Sequence, residues 1–327
     1  MGKRVRRKAN IRAAEIVEVR SEREILASLD RDGKLDGLPF MPEMLQYCGR
    51  RVRVFKSAHK TCDTINKTGG RRMARAVHLE NLRCDGGAHG SCQAGCLLFW
   101  KEAWLRRVGE VPALGGSTQD VGNGVCTEEG LQRASRAQDV EGGEEVFVCQ
   151  ATELFRATGP LRWWDPRQYV RDVATGNVGV RRLLRVLLIA GWNAVQRRWR
   201  GRTYPRQAVG TLGRTPALKL DLQPGERVQV RSREEIAATL DVNSKNRGLW
   251  FDIEMIPFCG GTFTVLRRVE RIINERTGRM TRLPGDCIML DGVSCSGELS
   301  RLRLFCPRSI FPYWREIWLR RVGARNF

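Results

Sequence analysis

Residues 84 to 104, CDGGAHGSCQAGCLLFWKEAW, gather three cysteines at a C-x7-C-x3-C spacing with His89 between the first two. Thiolate and imidazole together are the donors of tetrahedral zinc sites, and thiolates hold iron–sulfur clusters, so Cys84, Cys92, Cys96 and His89 are candidate ligands for either. Cys62, in KTCDT, is the expected companion, with Cys48 or His78 as the alternative fourth ligand. In the WKEAWLRRV that follows, Trp100 and Trp104 stand four apart, which reads as one face of a helix. Cys92 and Cys96 then sit at a helix start, where unpaired N–H groups favour the thiolate. Two other uses of these residues stay open: reactive redox thiols, and inert cysteines packed as small hydrophobes.

The same stretch has a diverged second copy from Cys295 to Trp318, and the likeness begins well before it. VEVRSEREILASLD at Val17 returns as VQVRSREEIAATLD at Val228, an offset of 211 kept without a gap through Cys48/Cys259 and Cys84/Cys295. Over residues 17–54, 18 of 38 positions are identical; beyond a three-residue insertion, residues 92–108 match 306–322 at 8 of 17. Such self-similarity reads as a tandem duplication, so both halves are expected to share one fold. The second copy has Ile273 for Cys62 and Ile310 for Cys96, the paired loss expected of a degenerate metal site. It also gains Cys287, which makes Cys259, Cys287, Cys295 and Cys306 a candidate second site. Glu43 and Glu254 hold equivalent places before each Cys-Gly, with a turn-capping role expected first and ligand orientation second.

These residues need elements to position them. Each half reads as a V-x-V-R strand and then a short helix capped by Ser21 or Ser232, with Glu24 or Glu235 closing a capping box. Strands follow over RVRVFKS (51–57) and TFTVLRRV (262–269), then hairpin turns at Thr68 and Thr277, then AVHLENL or CIMLDGV as a further strand. The expected fold class is α+β with mainly β modules: two tandem-duplicated small SH3-like (half-)barrels, each ending in a Trp-rich helix, joined by a partly helical middle segment. The chain divides into a basic arm (1–16), a first module (17–108), a flexible linker (109–145) with Cys126 exposed, a helical middle (146–200), a linker (201–220) and a second module (221–327). In the middle, Asp165 and Pro166 read as helix N-cap and first residue. The segment 180–200, VRRLLRVLLIAGWNAVQRRWR, reads as a helix with arginines at both ends. A buried bridge between the halves is its first reading, and an interfacial helix on anionic lipid its second.

Composition bounds the partners. The 327 residues include 57 Lys and Arg against 36 Asp and Glu, a net charge of +21 that suits a polyanion such as nucleic acid, anionic lipid or acidic polysaccharide. Eleven clustered cysteines and the lack of an apolar stretch after Met1 point to a reduced, cytoplasmic setting, and no apolar run is long enough to predict a transmembrane span. With three histidines and no G-x-S-x-G, Walker A or dinucleotide fingerprint, no reaction is indicated. The motifs LPFMPEMLQYCGRR, LRCDGGAHGSCQAGCLLFWKEAW and FCPRSIFPYWREIWLRRV resemble a family of uncharacterised bacterial proteins, duplicated and cysteine-rich. The resemblance covers both halves and implies no activity. The residues themselves favour an iron–sulfur or zinc protein acting as an accessory or redox component of a biosynthetic pathway. A nucleic-acid-binding protein with basic tandem barrels and a peripheral membrane factor using residues 180–200 are the alternatives.

Overall fold

A computed structural model of the chain describes residues 10–109, 126–137, 145–199 and 201–323. Most of the expected basic arm, and residues 110–125 and 138–144 of the expected linker, lie outside them. The protein is a mixed α/β structure built mostly of strands, with a half-barrel sheet.

In the N-terminal half, β1 (Ile16–Val19), β2 (Arg51–Ser57), β3 (Ala76–Arg83), β4 (Leu97–Lys101) and β5 (Leu105–Arg107) form one antiparallel sheet in the order β4-β3-β2-β1-β5. In the C-terminal half, β6 (Arg227–Val230), β7 (Thr262–Arg268), β8 (Cys287–Leu290), β9 (Trp314–Arg315) and β10 (Leu319–Arg321) follow the order β9-β8-β7-β6-β10. Registers correspond: Val17 pairs with Val52 and Arg107, and Val228 with Phe263 and Arg321. Each sheet breaks register at the same place, between Val54 and Lys56 or between Val265 and Arg267.

Local chemistry explains much of this. Ser21 and Glu24 close the capping box of the helix Glu22–Leu26, as Ser232 and Glu235 do for Arg233–Ala237. Asp165 caps the helix Pro166–Ala174, with Pro166 at its first turn. The closing Trp-rich segment is not the helix its spacing suggests. It is a strand, a single 3-10 turn (Glu102–Trp104 or Glu316–Trp318) and another strand. One such turn returns a side chain four residues on to the side from which it left, so Trp100 and Trp104 both meet Phe40 edge-on, at 6.0 and 5.1 Å. Trp314 and Trp318 meet Phe251 the same way, at 6.1 and 5.2 Å. In a helix Glu102 and Arg106, and Glu316 and Arg320, would pair at i,i+4; here Glu102 accepts from the Ile11 backbone, Arg106 pairs with Glu18 and Glu24, and Arg320 pairs with Glu235.

Two hairpins cross between the halves. Strand Lys60–Cys62 pairs with Gly70–Arg72, which Gly159–Leu161 extends from the middle segment. Its counterpart pairs Arg271–Ile273 with Met280–Arg282. The second hairpin docks on the N-terminal half: the Ile273 N–H donates to Cys92 Sγ at 3.3 Å, and Gln93 exchanges hydrogen bonds with the backbone of Glu270 and Arg271. The first docks the other way, with Thr64 bonded to Glu275, and Arg308 to both.

Part of the expected flexible linker is ordered. The helix Glu128–Ala134 packs Leu131 and Cys126 into the N-terminal core, so Cys126 is buried rather than exposed, and Ser135 Oγ donates to the Ala88 carbonyl at 3.0 Å. The helix Val180–Arg198 is not a buried bridge; only Val186 and Asn193 are fully covered along it. Among the described residues no helix is long and apolar enough to cross a membrane.

Candidate metal centre

The loop after β3 folds back on itself at Gly86, whose φ is +80° and whose missing Cβ would lie 2.1 Å from the Cys92 carbonyl oxygen. Only glycine permits that approach, and it brings Cys84 and His89 over the same point. Cys84 N–H donates to the Cys96 carbonyl at 2.8 Å, which ties the start of the loop to its end. From the other side, the 3-10 helix Pro42–Tyr47 presents Glu43.

Ligand atoms of Glu43, Cys84 and His89 all lie within 4.8 Å of one another. Cys84 Sγ is 3.3 Å from His89 Nε2, and the opposite ring nitrogen, Nδ1, faces Glu43 Oε1 at 3.7 Å. The site is interior, the His89 and Glu43 side chains being 1% and 5% exposed. Yet among the described residues neither Glu43 oxygen is in a well-formed hydrogen bond, nor is His89 Nδ1, although the Cys84 thiol and the Glu43 backbone N–H both act to lower the carboxyl. Burial pushes the Glu43 carboxyl up, drives the Cys84 thiol well above its ordinary range, and lowers the His89 imidazole to about 4. A buried carboxylate without a well-formed hydrogen bond is costly, and a cation beside Cys84 and His89 Nε2 would offset that cost, either by drawing on Glu43 directly or by turning Nδ1–H toward it.

Next to this trio lies a cavity of about 40 Å³ whose wall includes Cys84, His89, Cys92, Cys96 and Cys149. The sequence-predicted Cys84 and His89 therefore meet, while Cys92 and Cys96 share the cavity wall outside the tight group. They stand in an irregular loop before β4, not at a helix start, so no helix end favours their thiolates, and burial pushes Cys96 up to about 11. Cys62 is elsewhere: its hairpin carries it to the C-terminal half, where it hydrogen-bonds with Cys306, and that bond, aided by Arg308 and Arg303, lowers it to about 6. His78 is buried and spends Nδ1 on the Leu98 carbonyl; Cys48 packs at the edge of the core.

Cys149 was not foreseen, and Glu43 was expected first as a turn cap and only second to orient a ligand. Cys149 reaches the cavity because the buried Gln150 clamps its helix to β4, accepting from Phe99 N–H and donating to the Phe99 and Pro39 carbonyls. Cys149 lies in the middle segment, outside both of the similar stretches, and carried no spacing signal. Glu43 was visible as a repeated Glu-Met pair, but its use differs from that of its twin.

In the C-terminal half, Glu254 accepts from Ser296 Oγ, Gly297 N–H, Leu299 N–H and Ser300 Oγ at 2.8 to 3.1 Å. The loop that carries His89 in one half carries these donors in the other. Cys259, Cys287, Cys295 and Cys306 are not gathered into a metal-sized group among the described residues. Cys287 accepts from Arg315, Cys259 packs on the C-terminal core, and Cys306 faces Cys62. No protein-family profile, curated protein or solved structure matches the chain.

Proposed function

We propose that the chain is a metal-binding protein whose N-terminal half holds one ion through Cys84 and His89, with Glu43 as third ligand or as the carboxylate that orients the imidazole. The observation that carries this reading is the set of orphaned atoms on Glu43 and His89, set against the four donors that satisfy Glu254. A ligand histidine commonly gives its second nitrogen to a carboxylate, and Glu43 faces Nδ1 while Nε2 faces the Cys84 sulfur. Cys96 and Cys149 on the adjoining wall are the reserve thiolates. A mixed sulfur, nitrogen and oxygen donor set suits a single zinc ion better than a multi-iron cluster, which is held by thiolates. The metal would supply the positive charge that keeps Cys84 ionised in an interior that otherwise protonates it. We read the scaffold as a tandem duplication of a small SH3-like half-barrel, supported by the matching strand orders and registers.

Elemental analysis of protein purified without chelator tests the proposal. About one zinc per chain is expected, lost in Cys84→Ser and in His89→Ala. A folded protein that carries no metal and takes up none on titration with Zn²⁺ would overturn it.

A second reading rests on the same distances. Cys84, His89 and Glu43 stand in the order of nucleophile, base and orienting carboxylate. Against it, burial disfavours both the thiolate and the imidazolium that such a pair needs. Rapid alkylation of Cys84 by iodoacetamide in metal-free protein at neutral pH would favour the nucleophile.

A further inference from the structure

The helix Val180–Arg198 has two apolar sides. One packs Val186 against Val178, Leu304 and Phe305. The other faces outward: Leu184, Leu188, Trp192, Val195 and Trp199 are between 53% and 78% exposed. At 3.6 residues per turn these five fall within an arc of about 80° and run along the helix for roughly 22 Å. No described part of the fold covers them, and a stripe of that length with two tryptophans is not the scattered apolar exposure of an ordinary surface.

The charge around the stripe identifies its occupant. The helix carries Arg181, Arg182, Arg185, Arg197 and Arg198 and no acidic residue. Arg181 and Arg185 flank the stripe toward one end and Arg198 toward the other, all exposed. Pairing this face with a second copy of itself would set the three flanking arginines against three, Arg182 being turned away to Glu298. An anionic bilayer surface accepts both components, with Leu and Val below the headgroups, Trp at their level, and arginines reaching phosphates.

We propose that this face seats the protein on anionic membrane, the helix lying in the interface plane without crossing it. The full chain should co-float with phosphatidylcholine vesicles containing phosphatidylglycerol, bind pure phosphatidylcholine vesicles weakly, and lose binding as salt rises. Leu188→Glu combined with Trp192→Glu, both on solvent-facing positions, should lower the partition coefficient by about 100-fold with the thermal transition unchanged. Absence of binding to anionic vesicles by the folded chain would overturn the proposal. So would a concentration-dependent dimer in sedimentation that the double variant abolishes, or single-stranded nucleic acid binding that requires Leu188 and Trp192 while vesicles are ignored.

Discussion

Glu43 and Glu254 follow equivalent strands and helices in two sheets of the same order, and both are removed from water, but their oxygens are treated oppositely. Around Glu254 the loop Ser296 to Ser300 turns four donors inward, and the carboxylate is closed off as a structural cap. Around Glu43 the loop supplies His89 and the Cys84 thiol instead, and no well-formed hydrogen bond among the described residues. The lesson is that a buried acid held by donors is architecture, whereas the same acid left among metal-ligating atoms marks a place reserved for something else. The glycine that folds each loop is common to both, as Gly297 at φ +72° matches Gly86. Only the residues hung on that bend differ.

Acid should separate the halves most strongly, because all three histidines lie in the N-terminal one. Burial lowers His59 and His78 to about 3, so both stay neutral in the folded protein while the unfolded chain protonates them below 6.5. A depressed folded value gives stability that is present above 6.5 and lost as pH falls. Each group removes about 1.4 kcal/mol per pH unit, up to about 4 kcal/mol for the two between pH 6.5 and 5. Hydrogen exchange should show amides of β2 and β3 opening first as pH drops, with β7 and β8 following later. Equal loss in both halves would break the comparison. Next in size, Glu254→Ala should cost about 3 kcal/mol in urea denaturation, since it strands buried donors rather than removing one bond.

How much of this could be read from the chain depends on whether the information is local. The capping boxes at Ser21 and Ser232 and the Asp165–Pro166 start were legible because each is decided within four residues. The Trp-rich ends were not, because spacing of four arises equally from a helix and from a strand broken by one 3-10 turn. Cys62 was assigned to the wrong partner set for a tertiary reason: hairpins 60–72 and 271–282 exchange sides, so Ile273, its counterpart, lines the Cys84 cavity instead. The division between the two glutamates did leave a trace, in the Gly and His of one loop against the Ser-x-x-x-Ser of the other. That trace acquires meaning only once the donors are seen to converge.

Metal should sharpen the contrast by acting on one half alone. Zn²⁺ at about a hundredfold excess over its dissociation constant should raise the unfolding free energy by about 2.7 kcal/mol. Exchange protection should increase in the 84–92 loop and not at residues 296–300. Cys84→Ser should abolish the gain. Stabilisation that persists in Cys84→Ser would move the ion elsewhere, with the cavity thiols Cys96 and Cys149 the first to examine.

The smallest expected effect discriminates best. In metal-free protein Glu43→Ala removes a buried carboxylate that has no well-formed hydrogen bond among the described residues, so the loss of packing is offset by relief of desolvation. The change in unfolding free energy by urea denaturation should stay within about 1 kcal/mol of zero, in either direction. With Zn²⁺ present the same substitution should weaken the metal's stabilising effect, by about tenfold or more in affinity if Glu43 ligates or orients His89. A structural acid gives the reverse pattern: a large loss without metal and no further change with it. Measuring Glu43→Ala and Glu254→Ala side by side, with and without Zn²⁺, therefore tests both roles on one scaffold. If the two variants behave alike under both conditions, the orphaned oxygens of Glu43 have no function that Glu254 lacks.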